Sequence, residues 1–322
     1  MPGSHQSCGR PFSSNTPPIA FQVINADDRS VANLHRTAST ILEPQIGATR
    51  NTIQIVTSKT DHESLRKAAE LMVDAYWLAS PVSLIAKKND CGDGPSSPTS
   101  SFEEGRNNLI NVQLQDFVER YDASRGDRLL HSRLLTAVGY PADPVDGGSI
   151  TPQKPEILGI VGMEVRLCDE ISRTIHSTQE SERIILDAVI GDKSMVRQAT
   201  SMPACIPRLV ENLLPSELSA VCVLSNLAVS PKARRQGLAT RLCKEVERLA
   251  RTYCGCTRVY LEVETVNTAA RKLYEGTLGY EQLCEADAPA KRVDLRSGEF
   301  IEIAAPTLVL SKDVTNDTYV RS

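Results

Sequence analysis

The chain has 322 residues, 41% hydrophobic and 24% charged, a composition that suits a globular protein with room for one substantial core. Its 36 basic and 40 acidic residues leave a formal charge of -4. That balance excludes nucleic acid as an expected partner, because non-specific binding rests on Lys and Arg neutralising phosphates. No run reaches the roughly 18 consecutive apolar residues that span a bilayer, so no membrane is expected either.

The first fifty residues hold ten Ser or Thr, four Arg, no Lys and three acids, with no apolar run of a secretory signal. Two readings stand open: a plain disordered tail, or an organelle transit peptide, which is Ser- and Arg-rich and poor in acids. Residues 51–315 read as a single domain and 316–322 as a short tail. Order begins at Thr52-Ile53-Gln54-Ile55-Val56, which alternates like a strand. Asp61 is placed to cap a helix running to about Ala79, with Leu65, Ala68, Met72, Ala75 and Tyr76 at helical spacing. Residues 87–107 are polar and rich in Gly, Ser and Pro. They cannot bury enough apolar area to offset their ordering entropy and read as a disordered loop.

A second helix carries Ile110, Leu114, Phe117, Val118 and Tyr121 on one stripe, and strands follow near Arg133–Val138 and at Ile157–Leu167. The stretch from Cys168 to about Leu214, with a helix around Glu182–Arg197, reads as an insertion between neighbouring strands. Ala220–Val229 is apolar enough for a buried strand. Gln236–Tyr253 is an amphipathic helix with Leu238, Leu242, Val246, Leu249 and Tyr253 inward. Arg258–Glu264 alternates again, a short helix follows Asn267, and strands near Tyr280–Cys284 and Thr307–Leu310 close the fold.

The nine cysteines are scattered, the closest pair being Cys254-Gly255-Cys256, and none of the five histidines adjoins a cysteine. That spacing fits no zinc site. The cysteines read as reduced small hydrophobes, and no metal is expected.

One junction points to chemistry. At Val229-Ser230-Pro231-Lys232-Ala233-Arg234-Arg235-Gln236-Gly237-Leu238-Ala239-Thr240 a buried strand turns into a long helix. The first N–H groups of a helix lack internal partners and carry the positive end of its dipole, so a diphosphate can sit there. Gly237 and Ala239 keep side chains out of its way. Arg234, Arg235 and Arg241 add charge that opposes the dipole by roughly 0.3–1 kcal/mol each, which makes better sense if an anion is expected.

The stretch Leu227–Ala239 resembles motif A of the GNAT superfamily of N-acetyltransferases, with Arg234-x-x-Gly237-x-Ala239 matching its signature after Asn226-Leu227-Ala228-Val229. Downstream, Asn267-x-x-Ala270-x-x-Leu273-Tyr274, followed by Gly279-Tyr280, resembles motif B of the same superfamily. Leu261-Glu262-Val263 before it is most like the branch that acetylates protein N-termini and lysines. The resemblance covers about Ala220 to Tyr280.

It implies an α/β fold: a central, mostly antiparallel mixed sheet flanked by helices, with two strands splayed around acetyl-CoA. It implies that backbone groups at Leu227 and Val229 hold the pantetheine arm and thioester, and that the loop Arg235, Gln236, Gly237, Leu238, Ala239 and Thr240 holds the pyrophosphate, with Ala228 and Arg234 also among the cofactor-binding residues. Asn267 and Tyr274 also touch coenzyme A in that reading. The layout further resembles plastid GNAT enzymes of plants and algae, so the location stands between plastid and cytoplasm.

Acetyl transfer needs a neutral amine. A lysine amine, near pKa 10.4, costs roughly 4 kcal/mol to deprotonate, and a chain-terminal amine, near 8, about 1 kcal/mol. A general base supplies that step, and a general acid protonates the departing thiolate. Glu262 is the candidate base, with Glu264 on the same face as its rival. Tyr274 is the candidate acid, and Asn267 also reads as the cap of its short helix. The expected acceptor is a protein or peptide amine. A small-molecule amine is the alternative, and a non-catalytic coenzyme A-binding regulatory module is the alternative of another class. Oligomeric state is not legible.

Overall fold

A computed structural model describes residues 52–58, 61–79, 98–122, 130–140, 155–189, 203–294 and 299–315. The expected tails at 1–50 and 316–322 lie outside the described residues, as does 87–97 of the expected loop. In chain order the elements are β1 (Thr52–Thr57), α1 (His62–Met72), α2 (Pro98–Tyr121), β2 (Ser132–Tyr140), β3 (Glu156–Asp169), β4 (Thr174–Ile175), α3 (Thr178–Ala188), α4 (Ile206–Leu213), β5 (Leu218–Val229), α5 (Leu238–Thr252), β6 (Arg258–Glu264), α6 (Thr268–Arg271), β7 (Glu281–Asp294) and β8 (Glu299–Asp313). π-helical turns extend α1 over Val73–Trp77 and α6 over Lys272–Leu278.

Among the described residues the strands form one sheet in the order β1-β2-β3-β5-β6-β8-β7, with β4 beside β3. Every pairing is antiparallel except β5 with β6. Those two are joined through α5, the crossover that a parallel pair requires. This is the open, mostly antiparallel sheet with flanking helices that the motifs implied.

The helices form for local reasons. Asp61 caps α1 by accepting from the Ser64 N–H at 2.9 Å. Leu65, Ala68, Ala69 and Met72 then bury one face of α1. Trp77, fully buried at the π turn, donates its indole N–H to Gln113 of α2 at 2.8 Å and meets Phe300 of β8 edge-on at 4.8 Å. One side chain thus ties three elements together. The same core takes the inward stripe of α5, including Leu238, Leu242, Cys243 and Val246.

The junction of β5 and β6 decides the shape of the site. Their parallel ladder consists of Cys222↔Val259 and Val223↔Tyr260, although β5 is 12 residues long. Beyond Val223 the strands part. On its other edge β5 carries a bulge, because Ile160 pairs with Ala228 and Gly162 with Ser225, setting two β5 residues against one. Asn226 sits at that bulge with φ of 60°, a left-handed conformation that Asn tolerates better than most residues.

Three expectations change. Helix α2 begins at Pro98, so residues 98–107 are helical and the loop is shorter than 87–107. The stretch 168–214 holds β4, α3 and α4, with α3 at Thr178–Ala188 rather than Glu182–Arg197; residues 190–202 lie outside the described set. The two short closing strands are one long antiparallel hairpin, β7–β8, paired from Glu281↔Ser311 to Asp294↔Glu299.

Candidate active site

Between the splayed ends of β5 and β6 lies a cavity of about 440 Å³. Its walls come from Leu227–Val229 of β5, Glu262–Glu264 of β6, the α6 region from Val266 to Tyr274, the α1 turn at Ala75 and Tyr76, and the hairpin at Ala288–Ala290. Both π-helical turns contribute, through Tyr76 and Tyr274. A π turn carries an extra residue in its loop and re-aims the side chain there, which is why such turns recur at functional sites.

The two candidate bases have different surroundings. Glu264 is buried and accepts two hydrogen bonds from Arg292 of β7, at 2.9 and 2.6 Å. This bidentate pair occupies both of its carboxylate oxygens. Glu262 has no hydrogen bond or ion pair among the described residues. Burial raises its pKa above the ordinary carboxylate value, and the more distant positive charge of Arg166 opposes that only in part. A carboxylate with a raised pKa and free lone pairs on a cavity wall is the better proton acceptor near neutral pH. The geometry therefore separates two residues that sequence periodicity placed on one face.

Tyr274 is 1% exposed and packs edge-on against Tyr280 at 6.0 Å. Burial, and after it the neighbouring Cys243 and Tyr76, push its phenol well above the usual value. It keeps its proton through the working pH range. A thiolate released into the same apolar space is destabilised by the same desolvation, so proton transfer between the two remains balanced. Asn267 caps α6 by accepting from the Ala270 N–H at 3.2 Å, and it also lines the cavity.

The expected cofactor loop divides into two groups. Leu227, Ala228, Val229, Arg234, Ala239, Asn267 and Tyr274 line the cavity. Arg235, Gln236, Gly237, Leu238 and Thr240 stand outside that wall, around the start of α5. There Gly237 is the N-cap with φ of 72° and no side-chain cap, so the first N–H groups of α5 have no capping oxygen. Leu238 is buried in the core, which leaves only its backbone for an anion. Arg234 is not a loose positive charge. It donates to the Val229 carbonyl at 3.2 Å and to the Ala75 carbonyl at 2.6 Å, stapling the β5 end to the α1 turn.

An ideal Cβ at Gly237 would meet nothing within 4 Å. The protein leaves that space open, and the positive φ favours glycine in any case. Gly237→Val should therefore raise KM for acetyl-CoA more than it lowers kcat, and should cost about 1–2 kcal/mol from the left-handed backbone. Initial-rate kinetics and a thermal melt check both parts.

Residues 213–280 match the family model described as Acetyltransferase (GNAT) family. The match spans β5, the α5 loop, β6 and the α6 region, the segments that build the cavity. The GNAT match covers 68 of the 322 residues, and by that match the chain is an acyltransferase.

Similar solved structures include a GNAT-family acetyltransferase from Streptococcus pneumoniae, at 14% identity over 81% of this chain and 98% of that one, TM-score 0.36. They also include the ribosomal-protein-S18-alanine N-acetyltransferase of Escherichia coli, at 14% identity over 82% and 94%, TM-score 0.36. Arabidopsis thaliana NAA60 in complex with acetyl-CoA is similar at 19% identity over 67% and 94%, TM-score 0.34. No curated protein compared with the chain matches it.

Sequence reasoning missed several walls of the cavity. Tyr76 read only as part of a helical stripe, because a π turn has no composition signal of its own. Ala288, Pro289 and Ala290 did not read as strand, since Ala and Pro are poor strand formers. Pro289 is tolerated because β7 is the sheet edge. The Glu264–Arg292 pair joins residues 28 apart in sequence, beyond the reach of any local pattern. Among the described residues no group of three or more His, Cys, Asp and Glu could hold a metal.

Proposed function

We propose that the protein transfers the acetyl group of acetyl-CoA to a protein amine, an N-terminal α-amine or a lysine side chain. The observation that carries this reading is Glu262, unpaired among the described residues, on the wall of a cavity opened by the splayed strands, with Tyr274 lining the same cavity. In the transfer the amine nitrogen bonds to the acetyl carbon and the carbon–sulfur bond breaks. Glu262 takes the amine proton, directly or through water, and Tyr274 supplies a proton to the departing sulfur. The uncapped start of α5, with Gly237 bare, fits the coenzyme's diphosphate.

The character of the wall supports a protein acceptor over a polyamine or amino sugar. Among the described residues the acids lining the cavity are Glu262 and Glu264, and Glu264 is neutralised by Arg292. A polycation would need further carboxylates. Much of the remaining lining is small and apolar, with Ala75, Ala79, Ala288 and Ala290, which suits an amine carried on an uncharged chain.

The test is mass-spectrometric detection of acetyl transfer by the purified protein to peptide libraries, polyamines, amino sugars and amino acids. Labelled peptides are expected. Labelling of small amines alone would overturn the protein acceptor, and any turnover removes the regulatory-module alternative. A plastid address for residues 1–50 is part of the same proposal. A reporter fused to that segment should enter plastids, and retention in the cytosol would sink the idea.

A further inference from the structure

The most heavily hydrogen-bonded carboxylate among the described residues lies behind the cavity rather than on its wall. Glu164 of β3 is 1% exposed. Its Oε1 accepts from Arg120 at 3.0 Å, from the Tyr121 hydroxyl at 3.0 Å and from the Ser225 hydroxyl at 2.9 Å. Its Oε2 accepts from Arg166 at 2.6 and 3.1 Å and from Thr178 at 2.9 Å. Burial alone would raise its pKa, but the guanidiniums of Arg166 and then Arg120 outweigh that and hold the carboxyl well below the usual range. The carboxylate is thus ionised, saturated and unsuited to proton transfer. A buried charge so fully satisfied holds its neighbours in one arrangement.

What it holds is the bulge of β5. Ser225 is bonded to Glu164 directly, and Asn226, with its φ of 60°, donates its side-chain N–H to the Tyr121 hydroxyl at 3.1 Å. Opposite them, an ideal Cβ at Gly162 would come within 2.7 Å of the Ser225 hydroxyl, 2.9 Å of the Ser225 carbonyl and 2.9 Å of the Tyr121 hydroxyl. A bare position at 162 is what allows the hydroxyls and the bulge to close on one another. The residues immediately after the bulge are Leu227, Ala228 and Val229, the β5 wall of the cavity. The bulge also sits just past the last β5–β6 pair, where the strands part.

We infer that Glu164 and Tyr121 are positioning residues for acetyl-CoA, fixing the Ser225–Asn226 bulge and through it the direction of the Leu227–Val229 backbone. This rests on the acetyl-CoA reading above, but neither residue takes part in the transfer itself. Their loss should therefore weaken coenzyme binding and leave the chemical step nearly intact once the site is filled.

Glu164→Gln leaves two guanidinium groups in the core facing an uncharged amide, so its first effect falls on folding. The decisive variant is Tyr121→Phe, which keeps the ring and removes the one oxygen that bridges Glu164 and Asn226. Calorimetric titration with coenzyme A should show Kd weakened about tenfold, the loss of a hydrogen bond to a charged group. KM for acetyl-CoA should rise by a similar factor, with kcat at saturating acetyl-CoA and KM for the acceptor little changed.

An unchanged Kd for coenzyme A, even with a lowered melting temperature, would make the network structural only and overturn the inference. So would a fall in kcat without a rise in KM for acetyl-CoA. If the unsubstituted protein itself does not bind coenzyme A, the acetyl-CoA reading fails. If it binds and Tyr121→Phe binds equally well, only the positioning role fails.

Discussion

Glu262→Gln should lower kcat/KM for the acceptor about 10²–10³-fold, within the range of a positioned general base. The substitution keeps size and polarity and removes the one lining carboxylate without an ion-pair partner among the described residues. The pH profile carries the sharper signature. Because burial raises the Glu262 pKa, the unsubstituted enzyme should lose activity as pH falls through a value above that of an ordinary glutamate. Protonation of the base is what switches it off. In Glu262→Gln that acidic limb should disappear and the remaining rate should be flat across it.

The effect should be larger on lysine acceptors than on chain-terminal ones. The lysine amine lies about three units above working pH and the terminal amine about one. A parallel Glu264→Gln should not remove the acidic limb. Its main consequence follows from leaving Arg292 without its carboxylate in the core, which lowers stability rather than proton removal. Persistence of the acidic limb in Glu262→Gln would transfer the base role elsewhere.

Tyr274→Phe should lower kcat about 10²-fold while KM for acetyl-CoA and the melting temperature change little. The ring is 1% exposed, packed against Tyr280, and a phenylalanine keeps both properties. What goes is the proton delivered to the departing sulfur. An acceptor-independent check is solvent pH: with the acid gone, the rate should no longer respond to leaving-group protonation. A Tyr274→Phe enzyme with unchanged kcat would leave Tyr274 as core packing and nothing more. Because Tyr274 lies in a π-helical turn, straightening that turn should move the hydroxyl and reproduce the loss of rate without touching the residue.

Local patterns carried much of this protein. Strand β6 follows from the alternation of Val259, Leu261 and Val263, and its observed bounds are those the periodicity gives, Arg258–Glu264. Asp61 and Asn267 were legible as caps because a short polar side chain before an apolar stripe satisfies the first free N–H groups. Gly237 was legible as a bare position where an anion could approach the helix start, whereas its φ of 72° came from the structure. The hairpin β7–β8 was only half legible. Its outer part, with Ala286, Ala288, Pro289 and Ala290, forms strand because each residue faces a partner on β8, not because of its own preference.

The same division runs through the site. The sequence by itself supplied the candidates: a helix start suited to an anion, a carboxylate pair on one strand face, and a tyrosine on the short helix behind Asn267. It could not rank Glu262 against Glu264, because side chains two apart on a strand share a face by geometry. Tertiary structure distinguishes their surroundings, by bringing Arg292 from β7 onto Glu264 and leaving the Glu262 side chain open among the described residues. It also gave Arg234, on the cavity wall, hydrogen bonds to the Val229 and Ala75 carbonyls, and it assembled the Glu164 network from β3, α2, α3 and β5. Partners of that kind are distant along the chain, and their pairing is fixed only when burial forces each charge to find its counterpart.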